Sequence, residues 1–225
     1  MRLITLYTSL YFAEEFTSHS VSQQLYAALS GKEPLAVEET FEPGFNLRST
    51  KQKLAVKWDA DSCHIAIESI LDAGECLQKT IALLETINRV APIGACSKRE
   101  LTCHWLLPME SYSFRLLERK YRGTLIAKQP IWKGVYDSSV ITDIEVDDLI
   151  LHHQSGAMKK RQLLDEYVAF NRKDIPKVFL FLLTSVYSDK VIKYSSEDIH
   201  KFLITAFGHC ERHSRLFEDI WRNTP

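Results

Sequence analysis

Apolar and polar positions change period several times along this chain, and each change predicts an element. From Arg2 to Phe12, Leu, Ile, Tyr and Phe fill both alternating faces, which predicts a strand covered on both sides. Val21, Leu25, Ala28 and Leu29 then recur at helical spacing, with Ser18 or Ser20 as cap and Gly31 at the left-handed C-terminal position. After Pro34, Val37 to Leu47 and Lys53 to Glu68 read as a hairpin, its second strand alternating Leu54, Val56 and Trp58, then Ile65 and Ile67. Asp72 and Glu75 form a capping box for a helix whose stripe is Cys76, Leu77, Thr80, Ile81, Leu84, Ile87 and Val90, stopped by Pro92 and Gly94. Leu101, Cys103, Trp105 and Leu107 give a strand ending at Pro108. The order β-α-β-β-α-β over residues 1–108 predicts an antiparallel ferredoxin-like half, a split βαβ unit with both helices on one face of the sheet.

The second half, residues 109–225, is less regular. Glu110 to Tyr121 reads as a short helix ended by Gly123, and Val140 to Leu151 as a strand with Val140, Ile144 and Val146 on one face. Ala157 to Phe170 favours helix by composition, while an extended reading would make a three-stranded meander with its neighbours. Val178 to Tyr187 is apolar enough for a buried strand. Ser196 to Trp221 then carries Ile199, Phe202, Leu203, Ala206, Phe207, Cys210, His213, Phe217 and Ile220 at steps of three and four, a long amphipathic helix with acids in its first turn. The fold class expected is α+β, with the second half closed by this helix and sharing a core with the first.

The layout resembles a sporadically distributed, uncharacterised prokaryotic family of split-βαβ α+β proteins. The likeness is carried by Lys32-Glu33-Pro34-Leu35-Ala36-Val37-Glu38, by the stretch from Lys53 to Val90, and by Phe202-Leu203 through Phe217-Glu218-Asp219-Ile220. The family's Arg-x-Gly-x-Arg stretch is replaced here by Arg99-Glu100-Leu101-Thr102-Cys103. The resemblance implies a fold and a prokaryotic setting, and no activity.

Composition narrows the partners. The 28 Lys and Arg against 29 Asp and Glu leave a formal charge of -1, so no global field draws the chain to nucleic acid or anionic lipid. The N-terminus has no secretory h-region, and the run from Val178 to Val186 is half a membrane span. The five cysteines are odd in number and widely spaced, so reduced thiols in the cytoplasm are expected. Glycines at 31, 44, 74, 94, 123, 134, 156 and 208 are never clustered, which removes the dinucleotide fingerprint, the P-loop and the nucleophile elbow. The absence of a Cys-x-x-Cys pair removes zinc ribbons and thioredoxin-like motifs. No cofactor and no catalytic residue is indicated.

Four candidate sites remain. His209 and His213 lie one helical turn apart, a spacing that permits joint metal coordination, although histidines beside an apolar stripe are more often core residues. Asp143, Glu145 and Asp147 share one parity of a strand and could hold Mg²⁺, against the commoner solvated sheet face. Arg115, Arg119, Lys120, Arg122, Lys128 and Lys133, interleaved with Tyr112, Phe114, Tyr121 and Trp132, form a basic segment suited to phosphates and bases, against a solvated helix face with buried aromatics. Phe202, Phe207, Phe217 and Trp221 could meet a partner protein or a second copy, or pack at home. The functional expectation is a non-enzymatic protein-binding or regulatory accessory factor of the prokaryotic cytosol. Its rivals are an RNA-binding ferredoxin-like protein of a CRISPR-type defence system and a Mg²⁺-dependent phosphoryl or nucleotidyl enzyme.

Overall fold

The computed structural model of the chain describes residues 1–15, 24–25, 27–29, 36–41, 44–49, 51, 53–68, 73–126, 138–166 and 175–223. Ser18, Ser20, Val21, Gly31, the segment 32–35, Asp72, Lys128, Trp132, Lys133 and Phe170 lie outside them. The strands are β1 (Arg2–Phe12), β2 (Ala36–Phe41), β3 (Gly44–Ser49), β4 (Leu54–Trp58), β5 (Ser62–Glu68), β6 (Ala95–Pro108), β7 (Ser139–Val146), β8 (Leu149–Lys159), β9 (Val178–Ser188) and β10 (Ile192–Lys193). The helices are α1 (Ala73–Val90), α2 (Phe114–Leu125), α3 (Lys160–Glu166) and α4 (Ser196–Asn223). Residues 24–25 and 27–29 are also helical.

All strands join one sheet in the order β2-β3-β4-β5-β1-β6-β9-β8-β7, with β10 pairing β6 off that path. Every pairing is antiparallel. The molecule is therefore mixed α+β with an antiparallel sheet and a long C-terminal helix. The seam between the two halves of the chain is β6 against β9, in register from Arg99↔Ser188 to Pro108↔Phe179.

One face of the sheet is sealed. Leu6 and Leu10 of β1, Leu101, Cys103 and Trp105 of β6, and Leu180, Leu182 and Val186 of β9 share a core with the α1 stripe and with Ile199, Phe202, Leu203, Ala206, Cys210, Phe217 and Trp221 of α4. Leu25 from the helical residues near 24–29 joins that core. The other face is covered at one end, where Ile4, Leu106, Leu163, Ile175, Phe179 and Phe181 form a second cluster. No described helix is long and apolar enough to cross a membrane.

Several boundaries differ from the sequence expectation for local reasons. The expected strand 37–47 is a hairpin, β2 and β3, closing at Phe41↔Gly44. The expected strand 53–68 is also a hairpin: the Asp59 N–H donates to the Ser62 carbonyl at 2.8 Å, a turn formed where Asp and Ser replace the apolar alternation. Helix α2 starts at Phe114 because the Ser113 side chain accepts from the Leu116 N–H, and Gly123 lies inside it. The expected strand 140–151 turns at Asp147, whose φ of 54° is left-handed, a conformation Asp tolerates better than most residues. Of the expected segment 157–170, the described residues 157–166 divide between the two readings, strand to Lys159 and helix from Lys160 to Glu166, and 167–170 lie outside the described residues.

Candidate functional site

Because the pleat alternates, the residues between the core positions point to the opposite face of the sheet. Registers align them into rows. One row runs Arg48, Ala55, Ala66, Tyr7, Thr102, Ser185, His152 and Asp143 from β3 to β7. The adjacent row runs Asn46, Lys57, His64, Ser9, Glu100, Tyr187, Ile150 and Glu145. Tyr11, opposite Lys98, begins a third.

The central strands of this face carry aromatic rings and cations side by side. The His64 ring lies 6.3 Å from the Tyr7 ring and 5.6 Å, edge-on, from the Tyr11 ring. Lys98 Nζ sits 5.4 Å from the Tyr11 centroid and 4.8 Å from that of Tyr187, so it bridges the two rings. Both contacts are within cation–π range. Tyr7 is 36% exposed, and the Lys57 side chain is 49% exposed. Between the rings the surface is tied down: His64 Nδ1 and Ser9 Oγ are 2.8 Å apart, Thr102 Oγ1 donates to Ser185 Oγ at 2.9 Å, and Ser185 Oγ donates to Glu100 at 2.6 Å.

The electrostatics keep the rings neutral. Burial lowers the His64 pKa and Lys57 lowers it further, so the imidazole is uncharged near neutral pH. Burial raises the Tyr7 phenol against the pull of Lys57. The lysines stay charged. The hydrogen bond to Asp59 raises Lys57, and at Lys98 the Glu100 carboxylate outweighs the opposing burial. Neutral flat rings flanked by fixed cations are able to stack on bases while meeting phosphates.

A second polar constellation lies on the sealed face. The Tyr121 hydroxyl donates to the Ser155 carbonyl at 2.7 Å, which leaves Ser155 Oγ to donate back to Tyr121 Oη at 2.9 Å. His153 Nε2–H must then donate to Ser155 Oγ, and neutral His153 accepts from His213 Nε2–H at its Nδ1, both at 2.7 Å. Ser155 is fully buried, and every proton in the chain is committed. This is a structural network, with no nucleophile open to a substrate.

The sequence candidates are distributed differently. His213 joins that network, while buried His209 lies 3.5 Å from Asp147 Oδ2. Among the described residues no three His, Cys, Asp or Glu side chains come together in a way that could hold a metal ion. Asp143 and Glu145 project from β7, with Asp143 held by His152 at 2.7 Å, and Asp147 is in the turn rather than on their strand face. Arg115, Arg119, Lys120 and Arg122 lie on α2, which packs through Tyr121 on the sealed side, away from the tyrosine rows. Arg122 pairs with Glu118 at 3.7 Å, and Lys120 lies 5.7 Å from the Tyr112 ring centroid. Phe202, Phe217 and Trp221 are buried in the chain's own core, with Phe207 packed against its edge.

The residues that sequence reasoning missed are Tyr7, Tyr11, His64, Lys57, Lys98 and Tyr187. Their signal was parity. In β1 the residues Thr5, Tyr7, Ser9 and Tyr11 all bear hydroxyls, whereas on the other parity Thr8 alone does among Leu6, Thr8, Leu10 and Phe12. No protein-family profile matches this chain, and no curated protein matches it.

Proposed function

We propose that this chain binds single-stranded RNA on the open face of its sheet and acts without catalysing a reaction. The observation that carries this is the band of Tyr7, His64, Tyr11, Lys98 and Tyr187 across the adjacent strands β5, β1, β6 and β9. Base stacking on such rings contributes about 1–3 kcal/mol per base and tolerates any sequence. Arg48, Lys57 and Lys98 supply the phosphate contacts, so a near-neutral chain needs no global positive field. The order β4-β5-β1-β6, with α1 between β5 and β6, supports reading the first half as a ferredoxin-like unit extended by β2 and β3. In RNA-binding modules built on a four-stranded sheet, single strands lie across the sheet on its aromatic residues.

The test is fluorescence anisotropy with a labelled oligouridylate over a salt series. Binding is expected to weaken with salt as two or three contacts would require, on the order of 0.7 in log–log slope per phosphate. Tyr7→Ala and Tyr187→Ala should each weaken it about tenfold, and Arg119→Ala on α2 should leave it unchanged. Absence of binding at low salt, or equal binding by all variants, would overturn the proposal. A partner protein, the other expectation from the sequence, would have to meet this chain away from Phe202, Phe217 and Trp221, since these are buried.

A further inference from the structure

At one end of the sheet, among the described residues, strand β7 pairs with β8 alone, in unbroken register from Ser139↔Gly156 to Val146↔Leu149. The β1–β6 and β2–β3 pairings, by contrast, contain register shifts. Edge strands are ordinarily protected by bulges, charged side chains (lysine above all) or prolines that prevent another strand from pairing. The sequence Ser139-Val140-Ile141-Thr142-Asp143-Ile144-Glu145-Val146 has no lysine or proline, and its two charges, Asp143 and Glu145, are both acidic, so they repel an acidic strand and admit a cationic one. Ile141 is 59% and Ile144 40% exposed.

We infer that β7 takes up an extended segment of a basic partner protein as an added strand. Parity sets the chemistry of that segment. On the sealed side Val140 and Val146 already pack against the core and Ile144 continues their line, so apolar partner residues extend the core there. On the open side stand Ile141, Asp143 and Glu145, followed by Asp147 and Asp148 in the turn. His152 lies 2.7 Å from Asp143, His209 3.5 Å from Asp147 and Lys190 3.3 Å from Asp148, and among the described residues Glu145 has no ion pair. The fitting segment therefore alternates apolar residues with Lys or Arg. A second copy of this chain fits less well, because antiparallel pairing of two β7 strands would set Asp143 and Glu145 of both copies about 5 Å apart on one face. This docking is independent of RNA binding on the tyrosine rows.

The probe is a capped octapeptide alternating valine with lysine, compared with its glutamate counterpart and with a version N-methylated along one edge. The lysine peptide should bind one per chain and slow amide exchange across 139–146. N-methylation, the glutamate peptide, and Asp143→Asn with Glu145→Gln should each weaken binding by about tenfold or more. Equal binding by the N-methylated peptide would show charge adhesion without strand pairing and overturn the inference. So would a concentration-dependent dimer that Ile144→Lys dissolves, since a second copy would then be the occupant. Tyr7→Ala should not change peptide binding, which separates this result from the fate of RNA binding.

Discussion

His153 shows how much a single side chain can make stability depend on pH. Burial, reinforced by His213 and then His152, pushes its pKa down to about 4, and burial also lowers His213. Unfolded histidine titrates near 6.5, so between about pH 6.5 and 4 the unfolded chain binds protons that the folded chain refuses. Stability from these neutral imidazoles is complete above pH 6.5 and is lost as pH falls toward 4. Urea unfolding at stepped pH should show this decline, and His153→Gln should flatten it in that window while the carboxylate-driven loss below it remains. An unchanged slope in the variant would mean that the imidazole does not carry the effect. The sequence places His213 beside the apolar stripe, but its partner lies 60 positions away on β8. Such a contact depends on strand register, which local spacing does not reveal.

Among the elements, α4 was the most legible, because a 3.6-residue stripe over 28 residues leaves little freedom in which face is buried, although its last turn buries Trp221 and leaves Ile220, expected in the stripe, 43% exposed. Its last turns pack on α2: the Trp221 ring stacks on Tyr121 at 5.9 Å with 3° between planes, and Phe217 lies 6.3 Å from Trp221. Trp221→Ala should therefore cost about 3–5 kcal/mol, measured by urea denaturation, while Phe207→Ala at the core margin should cost about half as much. Equal small losses would show that the C-terminal turns are not held to the fold. The strand boundaries were harder to read. The two-residue turn Asp147-Asp148 switches the core-facing positions from even (Val140, Val146) to odd (Leu149, Leu151), and a slip that short is easily passed over, so β7 and β8 read as one strand. The open face was missed for a related reason: tyrosine counts as apolar in a periodicity search, and β1 therefore reads as covered on both sides.

At the scale of the whole molecule, the two halves share one sheet through β6 and β9 and one core beneath α1 and α4. Near- and far-ultraviolet circular dichroism should accordingly report the same urea midpoint, and a fragment of residues 1–108 should fail to reach a native fold because one edge of β6 and much of the core would be uncovered. Two separated transitions would show that the halves are independent. In the first half the sequence anticipated β1, α1 and β6, whose periods are distinct, and ran β2 with β3 and β4 with β5 together as single strands. How the second half joins it was not legible, because the pairing of β6 with β9 links segments about 80 residues apart.

The register rows that cross the open face have a directional consequence. Arg48 and Lys57 stand on β3 and β4, Asp143 and Glu145 on β7, roughly 30 Å away at about 4.8 Å per strand. On the two proposals above, RNA across β5, β1, β6 and β9 and a cationic strand beyond β7 would occupy a single sheet without displacing each other.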